Sequence, residues 1–192
     1  MNDQLIEQEV KLEVRHVTFL DLLKKHGIKF NVLRPILQRD LIFDFPDLRL
    51  LRDDRLFRIR MENDDIRLTF KGKREFLRHS KKRIEIEGSI RSEKAVDVLK
   101  CVGISVSKLP CTFKEIVDLL SRNGMKVVVE VVKERTPLRL EGWNCKVYLD
   151  KVRRLGEFVE IEGEGSDLLV DILGVSNSVI RKSYAEMLAE FS

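Results

Sequence analysis

Glu7 and Glu9 stand two residues apart with Lys11 two further on, and Glu160 and Glu162 repeat the carboxylate spacing late in the chain. On an extended strand, residues at this spacing share one face, and their backbones lie roughly 6–7 Å apart. Such carboxylates can converge on one hard divalent cation or reach two, because Mg²⁺ and Mn²⁺ take oxygen ligands and bridge to phosphates. Paired bases use the same spacing: Arg58 with Arg60, and Lys133 with Arg135. A guanidinium group donates two parallel hydrogen bonds to phosphate oxygens. The chemistry suggested is that of a polyphosphate bound together with a divalent cation.

The elements that must position these groups are strands. In 6–12, Glu7, Glu9 and Lys11 alternate with Ile6, Val10 and Leu12. In 57–61, Arg58 and Arg60 oppose Phe57, Ile59 and Met61; in 66–71, Arg67, Thr69 and Lys71 oppose Ile66, Leu68 and Phe70. In 83–87, Arg83, Glu85 and Glu87 oppose Ile84 and Ile86, and in 158–162, Glu160 and Glu162 oppose Val159 and Ile161. Lys133 and Arg135 extend the parity of Val127, Val129 and Val131 in a less regular strand, while in 147–152 Tyr148 and Asp150 oppose Val147, Leu149 and Val152 only partly. Any half-exposed antiparallel sheet alternates in this way with its charges in water. Strict mixing of paired acids and paired bases on many strands argues for an inward charged face instead.

An internal repeat argues the same way. Arg58-x-Arg60 matches Lys133-x-Arg135, Lys71 matches Lys146, and Glu85-Ile-Glu87-Gly88 matches Glu160-Ile-Glu162-Gly163, each 75 residues on (133−58, 146−71 and 160−85). Two β-rich halves, each unable to bury its sheet alone, can share one closed barrel, which removes exposed edges. The helices read as packing on the apolar faces. Thr18 with Asp21 reads as the start of one that Gly27 closes, and Ser92 as the cap of one ending near Gly103. Thr112 with Glu115 forms a capping box before a helix stopped at Asn123-Gly124, and Ser166 and Ser176 read as caps of the last two, the second carrying Lys182, Tyr184 and Met187. Pro110 marks a turn between two helical patterns.

Glu7-x-Glu9-x-Lys11 resembles the signature of the CYTH family, the triphosphate tunnel enzymes. Gln38 to Asp47 resembles its strand ending in F-D-T-P, with Phe45 where Thr is usual. Phe57-Arg58-Ile59-Arg60, Leu68-Thr69-Phe70-Lys71-Gly72 and Arg83-Ile84-Glu85-Ile86-Glu87 follow in family order, as do Lys133-Glu134-Arg135, Leu149-Asp150-Lys151-Val152, Leu155 to Glu162 and Lys182-Ser183-Tyr184. Spacing is most similar to the class IV adenylyl cyclase-like branch, and Ile42 stands where thiamine triphosphatases place Tyr. The resemblance implies one α+β domain over residues 1–192: a closed eight-stranded antiparallel β-barrel, its halves related by a pseudo-two-fold axis, with flanking helices. It implies that Lys11, Arg58, Arg60, Lys71, Arg83, Lys133, Arg135 and Lys182 bind triphosphate, with Lys71 and Lys11 catalytic. Glu7, Glu9, Asp150, Glu160 and Glu162 would hold Mg²⁺ or Mn²⁺.

Composition narrows the class. The net charge is +4, a small excess over a dense mixture of both signs; such a balance can serve a polyanionic partner, but most charge-rich surfaces are only solvated faces. No apolar run is long enough to span a membrane. Met1 to Glu9 carries Asp3, Glu7 and Glu9 and lacks the pattern of a secretory signal. Cys101, Cys111 and Cys145 are odd in number and form no C-x-x-C pair, which suits the cytoplasm, and the histidines are scattered. The expected partner is a small triphosphate, with no membrane and no stable nucleic-acid contact, and the chain is a candidate homodimer. Three activities remain open: hydrolysis of a nucleoside or inorganic triphosphate, cyclisation of ATP to cyclic AMP, and polyphosphate binding without turnover. The acids argue against the last, since a pure binder has no need of metal ligands.

Overall fold

The computed structural model describes residues 5–190. Residues 1–4, part of the stretch read above for a targeting signal, lie outside the described residues. The strands are β1 (Leu5–Leu12), β2 (Phe30–Val32), β3 (Ile36–Asp44), β4 (Leu56–Glu62), β5 (Asp65–Lys71), β6 (Glu75–Phe76), β7 (Lys81–Ser89), β8 (Lys126–Leu140), β9 (Lys146–Val152) and β10 (Gly156–Glu162). The helices are α1 (His16–Lys25), α2 (Arg49–Arg52), α3 (Lys94–Lys100), α4 (Phe113–Arg122), α5 (Ser166–Leu173) and α6 (Tyr184–Ala189). The sheet order is β1-β10-β9-β8-β3-β4-β5-β7, and β1 also pairs with β7, so the ladder is cyclic. This is the closed eight-stranded antiparallel barrel with flanking helices; β2 and β6 are short additions, on β8 and β7.

The chain divides into two units. The first is built mainly from Gln38–Lys73 and Arg83–Val131. Here the alternation of β3, β4 and β5 sorts side chains as expected. Leu41, Phe43, Phe57, Ile59, Leu68 and Phe70 pack against Ala95, Val98 and Leu99 of α3 and Ile116 and Leu120 of α4. Burying each of these large side chains is worth about 1.5–3 kcal/mol. Asp44, at the end of β3, caps α2: its carboxylate accepts from the backbone N–H groups of Phe45, Leu50 and Leu51.

The second unit comprises Glu7–Leu37, Arg74–Lys82 and Val132–Ser192. Val10, Leu12, Val147, Leu149, Val159 and Ile161 pack against Phe19 and Leu23 of α1 and Leu169, Val170 and Leu173 of α5. In both units the apolar strand faces lie under helices, so the charged residues occupy the opposite faces.

Four of the five expected helix starts differ from expectation. Ser92 lies one residue before Glu93, the N-cap of α3, and Ser166 is the first residue of α5 after its N-cap Gly165. The first and last helices also start elsewhere. Thr18 lies inside α1, which begins after Arg15, and the cap comes from Glu157, whose carboxylate accepts from the His16 N–H at 2.8 Å. Ser176 opens only a 3-10 turn. The capping box of the last helix is Ser183 with Glu186, so Lys182 precedes α6. The Thr112–Glu115 box is present as expected. The repeat is real in connectivity, since β4-β5-β7 and β8-β9-β10 are both antiparallel meanders, but the registers differ. Lys71 faces Glu85, whereas Lys146 faces Glu162 and is exposed. The shared glycine is required twice for different reasons. A Cβ on Gly88 would meet Lys94 Cβ at 2.7 Å, whereas Gly163 sits at φ +96°. Among the described residues no helix is long and apolar enough to cross a membrane.

Candidate functional site

In the first unit the antiparallel register places Asp40 opposite Arg60 and Arg58 opposite Thr69. Asp40 takes the Arg60 fork, accepting from Nε and Nη2 at 2.7 Å each, and lies 3.3 Å from Arg58 Nη1. Arg58 also donates to Thr69 Oγ1 at 3.1 Å and approaches Glu85 and Glu87 at 3.5 and 3.4 Å. Lys71 Nζ lies 3.2 Å from Glu85. Arg83 is buried on β7. Burial works against the charge of Glu87, yet Arg58, Thr69 and Arg67 hold its carboxyl down at about 2. The expected bases Arg58, Arg60 and Lys71 are thus gathered in one network, oriented by Asp40, which the sequence reading passed over.

In the second unit β1 and β10 run antiparallel with Glu9 opposite Glu162 and Lys11 opposite Glu160. Glu7, Glu9 and Glu162 each offer a carboxylate oxygen within 4.8 Å of one another. Like charges so placed are destabilising unless a cation joins them. Burial, reinforced by Glu160, Glu9 and Glu7 against the opposing pull of Arg135, pushes the Glu162 carboxyl up to about 7. Three carboxylate oxygens held this close together fit a hard divalent cation.

Beside the trio the bases are held by the remaining acids. Asp150 is fully buried opposite Arg135 and accepts from its Nε and Nη2 at 2.7 Å each. Its Oδ2 also takes Lys133 Nζ at 2.7 Å and the Tyr184 hydroxyl at 3.0 Å. Glu160 pairs with Arg135 and, at 3.3 Å, with Lys11. Burial opposes the charge of Glu160, but Lys133, Arg135 and Lys11 hold it well below the usual carboxylate range. The Tyr184 ring lies 3.8 Å from Lys11 Nζ and stacks edge-on against Phe158. Of the five acids expected to hold metal, the structure brings Glu7, Glu9 and Glu162 together and turns Asp150 and Glu160 to the bases. Lys182 is exposed, paired with Glu190 at 2.5 Å.

Lys81 is a further buried cation, its Nζ 2.6 Å from Glu9 Oε1. It shares the parity of Arg83, Glu85 and Glu87 on β7, a signal the sequence contains but one that falls outside the resembling motif.

The CYTH domain pattern matches residues 5–168, most of the chain and all ten strands. The chain belongs to the CYTH family. A Methanocaldococcus jannaschii protein named "Putative adenylate cyclase MJ0240" is 28% identical over 198 residues, covering 95% of this chain and 98% of its own. The PH1819 protein of Pyrococcus horikoshii OT3 superposes with a TM-score of 0.74 at 27% identity, over 97% of this chain and 99% of that one. A Hippeastrum protein, HpAC1, superposes with a TM-score of 0.62 at 16% identity over 97% and 95% of the two chains; it is described as a "Putative adenylyl cyclase" that reveals a dominant triphosphatase activity. At that identity the likeness carries the fold alone. The CYTH assignment accounts for the cyclic ladder and for the alternation of charge on its strands.

Proposed function

We propose that this CYTH protein binds a nucleoside or inorganic triphosphate with Mg²⁺ or Mn²⁺ and cleaves it by hydrolysis. The observation that carries the reading is the Glu7–Glu9–Glu162 trio, with Glu9 directly opposite Glu162. Such a set suits a cation already balanced by an anionic substrate. When bound, the ion would polarise a phosphoryl oxygen or activate water. This chain's own residues do the rest. Lys11, Lys133 and Arg135, with Arg58, Arg60, Lys71 and Arg83, are the proposed phosphate ligands, and Lys182 stands as a proposed ligand on the family motif. Lys11 and Lys71 are the proposed catalytic cations, their ammonium groups offsetting charge that builds on the phosphate oxygens. Asp40 and Asp150 orient the arginine forks, so these are in place before substrate arrives. Cys101, Cys111 and Cys145 are free thiols, which suits a reducing cytoplasm.

The name of the Methanocaldococcus relative favours a second reading, adenylate cyclase, in which the ribose 3′-hydroxyl attacks the α-phosphate of ATP. Product analysis after incubation with ATP and with tripolyphosphate, each with Mg²⁺ and with Mn²⁺, decides between the two readings. Orthophosphate release supports hydrolysis, cyclic AMP with pyrophosphate supports cyclisation, and no turnover of either substrate overturns the enzymatic reading.

A further inference from the structure

The Lys81–Glu9 pair is built rather than incidental. Both side chains are about 95% buried, and Nζ lies 2.6 Å from Oε1. The backbone on either side is pinned. Ser80, one residue before Lys81, donates its N–H and its Oγ–H to Asp167 at 2.9 and 2.8 Å, and the N–H of His79 reaches the same carboxylate at 2.9 Å. Gln8, one residue before Glu9, donates through Nε2 to Ser80 Oγ at 3.1 Å and to Asp167 Oδ2 at 3.3 Å. Asp167, near the start of α5, therefore locks the start of β7 to β1 and sets the ammonium group against Glu9. The acids near Glu9 include Glu7, Glu162 and Glu160.

We propose that Lys81 is a built-in counter-ion that competes with the divalent cation for Glu9 and sets the metal affinity of the site. The inference rests on the reading of Glu7, Glu9 and Glu162 as metal ligands. Without metal, the ammonium group offsets part of the repulsion within the acidic trio. When metal arrives, Glu9 must exchange a fixed, buried cation for a mobile one, and Lys81 remains close enough to repel the ion. Both effects weaken metal binding relative to a site without Lys81. They favour loading of metal together with a polyanion, whose charge offsets that of the displaced ammonium group.

The test is calorimetric titration of the whole protein with Mn²⁺ in the absence of any triphosphate. Lys81→Met should bind Mn²⁺ about tenfold more tightly than wild type, or better, since a unit charge a few Å away is removed from a site of low effective dielectric. Glu9→Gln should weaken binding, and adding Lys81→Met to Glu9→Gln should recover much less than Lys81→Met gains alone, because the competition runs through Glu9. If Lys81→Met does not fold, Lys81→Gln keeps a donor for Glu9 and should shift affinity in the same direction. Wild type binding Mn²⁺ with neither Lys81 variant binding tighter overturns the counter-ion role and leaves the metal reading standing. Absence of Mn²⁺ binding by wild type and by the Lys81 variants overturns both.

Discussion

Glu9 on β1 lies directly across the antiparallel ladder from Glu162 on β10. Glu9 has Lys81 at 2.6 Å, whereas the nearest base to Glu162 is Arg135 at 3.5 Å, and that guanidinium is already committed to Asp150 and Glu160. Glu162 is therefore the less compensated member of the pair. Glu162→Gln should fold, keep a metal-free melting temperature at or above that of wild type, and lose at least about tenfold in Mn²⁺ affinity as one anionic ligand is removed. Paired thermal melts and titrations check this. A lower metal-free melting temperature with unchanged Mn²⁺ affinity would make Glu162 a purely structural partner of Arg135.

A pH prediction comes from α6. Burial works against the charge of Glu186, but the Arg74 fork at 2.8 Å and the N–H of Ser183 at 2.7 Å bring its carboxyl down to about 2. A depressed carboxyl stabilises the fold above its unfolded value, near 4.5, and loses that contribution as pH falls toward 2. Glu186→Gln should cost about 1 kcal/mol at neutral pH once solvent screening is allowed for. The difference from wild type should shrink steadily between pH 4.5 and 2, the window set by the two values. Urea unfolding at neutral pH and across that window checks it, and a difference that stays constant through the window would remove Glu186 as an ionised anchor.

How legible the site was depended on which interactions were local. Strand parity was readable because side chains alternate strictly, and it put Arg58, Arg60, Lys133 and Arg135 on charged faces correctly. Register was not readable, because it is set by pairing between distant segments. The family resemblance made Asp150 a metal donor; the ladder puts it opposite Arg135, where both its oxygens are taken. The 75-residue repeat likewise matched Lys71 with Lys146, although only Lys71 is buried. The caps divide in the same way. The Thr112–Glu115 box is complete within four residues and was found, whereas α1 is capped by Glu157 from another element and was misplaced.

The two arginine forks predict a distinction between charge and shape. Arg135→Ala would leave Asp150 and Glu160 buried without their main partner, a loss on the order of 3–5 kcal/mol. Arg60→Ala does the same to Asp40, so failure of either Ala variant to bind substrate would confound folding with recognition. Arg135→Lys and Arg60→Lys keep the charge and give up the bidentate geometry. Both should remain folded, and each should weaken tripolyphosphate binding by about tenfold, the loss of roughly one charge-assisted contact. Calorimetric titration beside thermal melts checks this. Unchanged affinity in folded Lys variants would make the forks structural and remove Arg60 and Arg135 from the phosphate ligands.

The two repeat glycines should respond differently to the same change. Gly88 has a negative φ, so its backbone tolerates a side chain, but an added Cβ would lie 2.7 Å from Lys94 Cβ and 2.9 Å from Ser92 Oγ at the start of α3. The position of Lys94 Cβ is set by its backbone and cannot swing aside, so α3 itself must shift. Gly163 has nothing closer than 3.9 Å, but its φ of +96° lies where a side chain is strained. Gly88→Ala should cost about 1–3 kcal/mol through overpacking, and Gly163→Ala about 1–3 kcal/mol through backbone strain. Their profiles separate in a second comparison. Gly88→Ser should be worse than Gly88→Ala, because the site lacks volume. Gly163→Asn should recover part of the loss at Gly163, because Asn tolerates positive φ better than Ala. Urea unfolding of the four variants measures this. Gly88→Ser no worse than Gly88→Ala would remove overpacking as the cause at Gly88, and Gly163→Asn no better than Gly163→Ala would remove backbone strain as the cause at Gly163.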